Sequence, residues 1–297
     1  MALAILALVL GACSNNPPVP SSASPAAPSP LSPSPASPTH TPTPFPPSPT
    51  PVPLAARVNG EEISLAQYQA ELARYQAASG KDLATEEAAR VLDDLIDQLL
   101  LAQAAAAEGF VVDEALVQER IDGLAANLGS AQALEAWMAT NGYLEPDFRR
   151  DLARSIAAAW MRDRIAEAVP EAAEQVHARQ ILVYKPEQAG EALARLQAGK
   201  DFASLAAEYN TLTGGDLGWF PQGYLPHPAL EAAAFALQPG EYSSIIETPS
   251  GFHLLQVIER DPQRPLDSGA RLILQTQALL SWLETQRGQS EIEVLLP

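Results

Sequence analysis

The spacing of hydrophobic residues divides the chain into a helical part and a mixed part. From residue 64 to residue 169, apolar side chains recur every three or four positions, which predicts amphipathic helices. The four apolar stripes are Leu65, Tyr68, Leu72 and Tyr75; Val91, Leu92, Leu95, Ile96 and Leu99; Leu116, Val117, Ile121 and Leu124; and Phe148, Leu152, Ile156 and Trp160. Ser64 and Asp113 stand where helix caps are expected. We interpret the stripes as the faces by which these helices pack.

After residue 176 short helical patterns alternate with period-two patterns. Strands are predicted at 177–185, 217–220, 242–247 and 251–260, and helices at 186–198, 201–209 and 229–237. In the last of these strands, alternation places His253, Leu255 and Val257 on one face, so that one imidazole lies in a row of hydrophobic side chains. Beyond Pro265 the chain returns to a helix, 266–287, and ends in a strand, 291–296.

Two glycines mark the turn before the strand at 217–220. A glycine pair ahead of a short apolar run indicates backbone with positive φ, which costs other residues more than it costs glycine. Gly214 and Gly215 are therefore expected in that conformation. Together with residues 248–255, the segment 214–220 predicts a small apolar cleft with polar groups at its edge.

The first 53 residues have a different composition. Residues 1–12 are an apolar run too short to span a bilayer, followed by Cys13, the only cysteine of the chain. This is similar to a bacterial lipoprotein signal, in which Cys13 would carry the lipid; the alternative is a hydrophobic stretch with an incidental thiol. No Lys or Arg precedes Arg57, so the basic start of a signal is missing, which a translation start further upstream would supply.

Residues 16–53 are rich in proline and contain no charged residue. Such a composition cannot bury enough apolar surface to fold, and favours an extended, polyproline-like tether. At about 3.1 Å per residue it would span on the order of 100 Å. A ligand for proline-binding modules is the competing interpretation.

Charge and residue content exclude several kinds of function. The 297 residues, 47% of them hydrophobic, are enough for two domains. The net charge of -18 argues against a nucleic-acid partner, whose phosphates it would repel. Four scattered histidines and one cysteine predict no metal site, and we expect no cofactor, since there is neither a phosphate-binding glycine loop nor an acyl-transfer serine motif.

The segment 176–260 resembles the parvulin type of peptidyl-prolyl isomerase. The resemblance is carried, in family order, by VHARQILV at 176–183, GGDLGWF at 214–220, FALQPGE at 235–241 and GFHLL at 251–255. A predicted strand with VNGE at 58–61, several helices and then this segment form an arrangement that is similar to the SurA and PrsA group of extracytoplasmic foldases.

The resemblance implies an α+β fold, mostly helical, with an inserted α/β domain. The expected parts are a lipoprotein signal at 1–13, a disordered tether at 14–53, a helical chaperone-like domain at 54–170, a parvulin-like domain at 171–265 and a C-terminal helix and strand at 266–297 that pack on the helical domain. The inserted domain should contain about four mainly antiparallel strands and three to four helices.

The resemblance also implies a set of site residues. His253, Ser250 and Thr248 match positions that line the family's site, and Leu217, Leu225, Leu230 and Phe235 match its pocket and core, with Trp219 and Phe220 as substrate contacts or plain core. The first-strand histidine of the family falls at Gln180, and the loop 210–213 lacks the usual acid or thiol. Gln180 can donate to the His253 ring and fix its tautomer but cannot carry a proton, which predicts weakened activity. Both residues have a simpler alternative, a satisfied core histidine and a satisfied strand glutamine.

The implied function is isomerisation of X-Pro bonds, combined with chaperone activity, in unfolded or exported polypeptides outside the cytoplasmic membrane, with a lipid anchor to that membrane. One alternative is a chaperone or peptide-binding lipoprotein that keeps the parvulin fold without catalysis. Another is a surface scaffold for one fixed protein partner.

Overall fold

The computed structural model describes residues 52–296. The predicted signal segment with Cys13 and the proline-rich segment as far as residue 51 lie outside the described residues. Among the helices of residues 52–296, none combines the length and the apolarity needed to cross a bilayer.

The first half of the described chain is a short hairpin followed by helices. Its elements are β1 (Leu54–Val58), β2 (Glu61–Ser64), α1 (Leu65–Ser79), α2 (Thr85–Ala107), α3 (Glu114–Leu128), α4 (Ala131–Thr140) and α5 (Glu145–Glu167). The predicted caps are present: the Ser64 side chain accepts a hydrogen bond from the backbone N–H of Gln67, and the Asp113 side chain accepts one from Leu116. Helix α2 supplies most of the core, since all five residues of its predicted stripe are buried.

The C-terminal segment returns to this helical domain. Helix α9 (Ser268–Gln289) packs against α2 and α5, and strand β7 (Ile292–Val294) pairs antiparallel with β1, giving a sheet of order β2-β1-β7. The Arg287 guanidinium donates to the carboxylates of Asp97, at 2.6 Å, and Asp93, at 3.0 Å, and so ties α9 to α2. Because the two ends of the described chain share one sheet, the residues between α5 and α9 form an insertion.

The insertion is a four-stranded antiparallel sheet with helices on both faces. Its elements are β3 (Ala172–Val183), α6 (Pro186–Gln197), α7 (Phe202–Tyr209), β4 (Asp216–Pro221), α8 (Pro228–Ala236), β5 (Ile246–Thr248) and β6 (Gly251–Pro265), in the order β4-β3-β6-β5. On β6, Leu254 packs with α6 and α7, whereas Leu255 and Val257 pack with α8. The predicted α+β fold with an inserted α/β domain is confirmed.

Three strands differ from the sequence-based prediction for local reasons. Residues 242–245 form no regular strand, because Ser243 replaces the ladder there: its N–H donates to the Leu255 carbonyl, and its hydroxyl accepts from the Leu255 N–H. Strands β3 and β6 are longer than predicted because polar residues extend them into a stem between the domains. In that stem the amide of Gln175, only 2% exposed, donates to the backbone carbonyls of Arg264 and Pro265.

The glycine turn before β4 has the expected conformation. Gly214 has φ 62° and Gly215 has φ 76°. A Cβ on Gly215 would lie 2.0 Å from the backbone carbonyl oxygen of Gln180, and the Gly215 carbonyl accepts the Gln180 N–H at 2.8 Å. The backbone of this turn therefore packs directly against the strand that carries Gln180.

Replacing Gly215 with alanine should destabilise the inserted domain. We expect Gly215→Ala to lower the free energy of unfolding by on the order of 2–4 kcal/mol, because it combines positive φ with a backbone clash. Gly123→Ala, in α3 with nothing within 4 Å of the new Cβ, is the matched control and should stabilise by about 0.5–1 kcal/mol. Urea unfolding followed by circular dichroism measures both, and equal effects of the two substitutions would contradict the close approach at residue 215.

Candidate active site

The candidate site is centred on His253 in β6. The side chain is buried, with 3% exposed. Its Nδ1 lies 2.9 Å from the Gln180 amide oxygen, and its Nε2 lies 2.9 Å from the Thr248 hydroxyl. The β3–β6 register explains this meeting: Gln180 is opposite Leu255 and Leu182 is opposite His253, so all four side chains lie on one face of the sheet.

These partners determine the protonation state of the imidazole. With the Gln180 amide oxygen facing the ring, Nδ1 carries the proton and Nε2 accepts from the Thr248 hydroxyl, which also lies 3.3 Å from the Gly251 carbonyl oxygen and can donate to only one of the two. Burial lowers the pKa of His253 below its ordinary value, and the neighbouring His227 ring, whose centroid is 6.4 Å away, lowers this pKa further. The ring is therefore neutral near pH 7. The sequence analysis expects Gln180 to donate to the ring, whereas in this arrangement its amide oxygen accepts.

A tight turn between β5 and β6 holds Thr248 in place. Its hydroxyl oxygen accepts the Ser250 backbone N–H at 3.1 Å. Gly251 has φ 132°, and a Cβ there would lie 2.6 Å from the Val183 carbonyl oxygen. Only glycine fits so close to β3, and the turn consequently directs the Thr248 hydroxyl at the ring.

Sequence analysis missed His227, which lies at the edge of the site. It precedes α8, and its Nε2 is 2.7 Å from the Ser250 hydroxyl. The contact joins the loop that carries Leu225 to the β5–β6 turn. His227 is one of four histidines in the chain, and it stands between Pro226 and Pro228, immediately before a predicted helix. That position in the sequence was the signal that could have identified it as a candidate.

Beside the imidazole lies an apolar cluster built from β4, the following loop and α8. It contains the predicted residues Leu217, Phe220, Leu225, Leu230 and Phe235, packed with Leu255 of the same face as His253. Phe220 is fully buried and Leu230 is 5% exposed, whereas Leu217, Leu225 and Phe235 are half-buried. Phe220 and Leu230 thus form the buried part of this cluster, the candidate pocket, and the half-buried side chains form its accessible part.

The structure does not bring Trp219 to this pocket. Trp219 pairs with His177 on β3, while Phe220 pairs with Val176, so the two aromatic rings leave opposite faces of the sheet. The Trp219 ring packs against the His177 ring, at 5.5 Å, and under the Arg264 guanidinium, at 4.2 Å.

Asp216 has a local structural role. Its carboxylate accepts the Gly218 N–H at 2.9 Å and contacts the His177 ring at 2.8 Å. These hydrogen bonds lower the pKa of Asp216 against the opposing effect of burial. The carboxylate therefore caps a turn.

The short loop 210–213 closes on itself. The Asn210 side-chain oxygen accepts the N–H groups of Leu212 and Thr213, each at 3.2 Å. A cleft of about 190 Å³ lies beside this loop, lined by Gln180, Leu182, Tyr184, Tyr209 and Asn210. No group of three or more His, Cys, Asp or Glu side chains among residues 52–296 is arranged to hold a metal ion.

Comparison with known proteins identifies both parts of the chain. Residues 170–259 match the family model of the PPIC-type PPIase domain, and residues 45–162 match that of the SurA-like N-terminal domain. The foldase protein PrsA of Caldanaerobacter subterraneus subsp. tengcongensis is 31% identical over 227 residues, which are 68% of this chain and 72% of that protein. The chain belongs to the PrsA foldase family. The resemblance to the SurA and PrsA group is therefore confirmed.

Other relatives of this PrsA-family chain are longer. The chaperone SurA of Methylobacillus flagellatus is 29% identical over 206 residues, which are 58% of this chain and 47% of that protein. The chain thus spans about half the length of this relative. A crystal structure of peptidylprolyl isomerase PrsA from Bacillus anthracis is 22% identical, with a TM-score of 0.45, and the alignment covers 67% of this chain and 96% of that one.

Proposed function

We propose that this protein catalyses cis–trans isomerisation of X-Pro bonds in unfolded or exported polypeptides, and that its helical domain binds the same chains as a chaperone. The observation that carries the proposal is the buried His253, bridged by Gln180 and Thr248 beside the apolar cluster of Leu217, Leu225, Leu230 and Phe235. The names of the matching family model and relatives, PPIase domain, foldase and chaperone, support it.

The reaction needs no bond to break. Turning an X-Pro amide removes its resonance, and the barrier is about 18–20 kcal/mol. The planar amide is the more polar state because resonance places negative charge on the carbonyl oxygen and positive charge on nitrogen. A pocket that removes water therefore disfavours the planar state relative to the twisted one. Each 1.4 kcal/mol of this difference is worth about tenfold in rate.

The proposed roles follow from the contacts. Leu217, Leu225 and Phe235 hold the proline ring against the floor formed by Leu230. The His253 ring, with both nitrogens already engaged, keeps the polar edge of the pocket in one arrangement and does not transfer a proton.

Gln180 and Thr248 act as positioning residues, and Ser250 connects the turn to His227. Because Gln180 supplies one fixed hydrogen bond where the family has a second ring, we expect weaker activity than that of a two-histidine site. The proposal makes no use of Trp219, which lies on the other face, or of Phe220, which is buried.

The two proposed activities, chaperone and isomerase, are assigned to two domains. Residues 54–170 and 266–297 form the chaperone domain, and residues 171–265 form the isomerase domain inserted in it. The antiparallel pairing of β1 with β7 supports this division, since it brings the two separate segments into one sheet.

Substitutions at residues 253 and 180 test the catalytic part. His253→Ala should lower kcat/KM for a proline-containing tetrapeptide by about tenfold or more, because the edge of the pocket loses its organising ring. Gln180→His, which restores two rings, should keep or raise the rate. His177→Ala, on the opposite face, is the matched control and should leave the rate unchanged. If the unsubstituted chain accelerates isomerisation no more than His253→Ala does, the non-catalytic chaperone is the correct function.

We further propose that Cys13 carries a lipid that anchors the protein to the outer face of the cytoplasmic membrane, with residues 14–53 as a tether. The apolar run before the only cysteine and the uncharged, proline-rich segment after it support this location. Cells given a radioactive fatty acid should label the full chain but not its Cys13→Ser variant. A soluble and unlabelled full chain would overturn the anchor.

A further inference from the structure

Strand β3 has a free edge next to the candidate site. The Gln180 N–H donates to the Gly215 carbonyl, so the main-chain polar groups of Gln180 face the side of β4. In an antiparallel sheet every second residue faces the same side, and the N–H and C=O of Leu182 therefore point the same way. The pairing with β4 ends at Arg179 opposite Asp216. In residues 52–296 the main-chain groups of Leu182 consequently face no partner strand.

The neighbouring loop leaves this edge open. Loop 210–213 is held in its own turn by the Asn210 side chain, which uses both of its acceptor bonds on Leu212 and Thr213. The space between the loop and the edge is the cleft of about 190 Å³. An unpaired N–H and C=O on a strand edge form a template for another extended chain.

The cleft has the size and chemistry for one large uncharged side chain. A cavity of about 150 Å³ can hold a benzene ring, so this cleft can accommodate an aromatic side chain. Tyr184, 78% exposed, and Tyr209 provide ring surfaces, and Leu182 provides an aliphatic one. None of the lining residues is charged, so a carboxylate placed there would lose water without gaining a cation.

The cleft shares one residue, Gln180, with the candidate active site. Gln180 lines the cleft and also holds the His253 ring through its amide oxygen. A polypeptide whose proline lies in the leucine pocket would therefore pass the free edge of β3 within a residue or two.

We infer that the edge of β3 at Leu182 binds an extended segment of the client polypeptide as an added strand, with an aromatic or large aliphatic side chain flanking the proline seated between Tyr184 and Tyr209. This recognition mode takes affinity from main-chain hydrogen bonds and selectivity from a side-chain cleft. It rests on the proposed function in that the client is the same chain, but the strand contact itself requires no isomerisation.

Two pairs of peptides, one with proline and one without, test the selectivity on the full chain. Ala-Phe-Pro-Phe-Ala should bind at least about tenfold more tightly than Ala-Glu-Pro-Glu-Ala, since burying a large apolar side chain is worth 1.5–3 kcal/mol. Ala-Phe-Ala-Phe-Ala, which has no proline, should keep that preference over its glutamate counterpart. Its binding separates a failure of the edge site from a failure of the isomerase site.

Amide hydrogen exchange tests the added strand directly. In NMR spectra of the labelled full chain, saturating Ala-Phe-Pro-Phe-Ala should slow exchange of the Leu182 N–H by about tenfold or more. Protection at Leu182 requires a main-chain partner, which a side chain seated in the cleft does not provide.

Three variants complete the test. Leu182→Pro removes the free N–H without removing a bond to β6, and should weaken binding of Ala-Phe-Pro-Phe-Ala about fivefold; Leu182→Val retains the N–H but shortens the aliphatic surface of the cleft, and should weaken binding less than Leu182→Pro does. Tyr184→Ser, at an exposed position that does not support the fold, should abolish most of the preference for phenylalanine. Equal affinity for the phenylalanine and glutamate peptides, or an unprotected Leu182 N–H at saturation, would overturn the inference whether or not the protein isomerises proline.

Discussion

The candidate site depends on one hydrogen-bonded imidazole. His253 lies where β3, β6 and the β5–β6 turn meet. Strand β3 supplies Gln180, β6 carries the ring itself, and Thr248, just before the turn, supplies the second partner. A buried polar ring is tolerated only when its nitrogens are paired, and here an amide oxygen and a hydroxyl pair them both. The tightest backbone approaches serve the same contact, since Gly215 lies against Gln180 and Gly251 lies against β3.

The strands that carry the site also connect it to the helical domain. The inserted domain is joined to the helical domain by the two strands of its own stem, β3 and β6, which are also the strands that carry Gln180 and His253. In the stem, the buried Gln175 amide is bonded to the backbone carbonyls of Arg264 and Pro265. The α9 and β7 segments then close the helical domain. Under the proposed function, a client polypeptide bound by the helical domain and its proline bound beside His253 would thus contact two connected parts of the same protein.

The sequence predicted those features that depend on local pattern or chemistry. Period-two alternation in β6 placed His253 with Leu255 and Val257, and the Ser64 and Asp113 caps follow from side chains that bond to their own helix starts. The glycine pair, Gly214 and Gly215, predicted backbone with positive φ before β4. These are one-dimensional signals, since spacing and residue type decide them.

What the sequence did not predict depends on contacts between distant segments. His227 reaches Ser250 only because α8 begins beside the β5–β6 turn. The direction of Trp219 depends on its register with His177, since a shift of one residue would have turned it toward the pocket. The ladder near residue 243 is broken by a side chain, a replacement that strand propensity does not register. The open edge at Leu182 follows from where β4 stops pairing, and no residue type marks that point.

The account's central claim is that a neutral ring, fixed by Gln180 and Thr248, borders the proline pocket. Nitrogen-15 NMR of the His253 imidazole in the full chain tests this most directly, with a pH titration and addition of Ala-Ala-Pro-Ala. The account predicts a single Nδ1–H tautomer at pH 7, a pKa below the ordinary value of 6.5 because burial disfavours the charged ring, and a shift of both nitrogen resonances on binding the peptide. A ring that is charged at pH 7, or one that does not respond to saturating peptide, would contradict it.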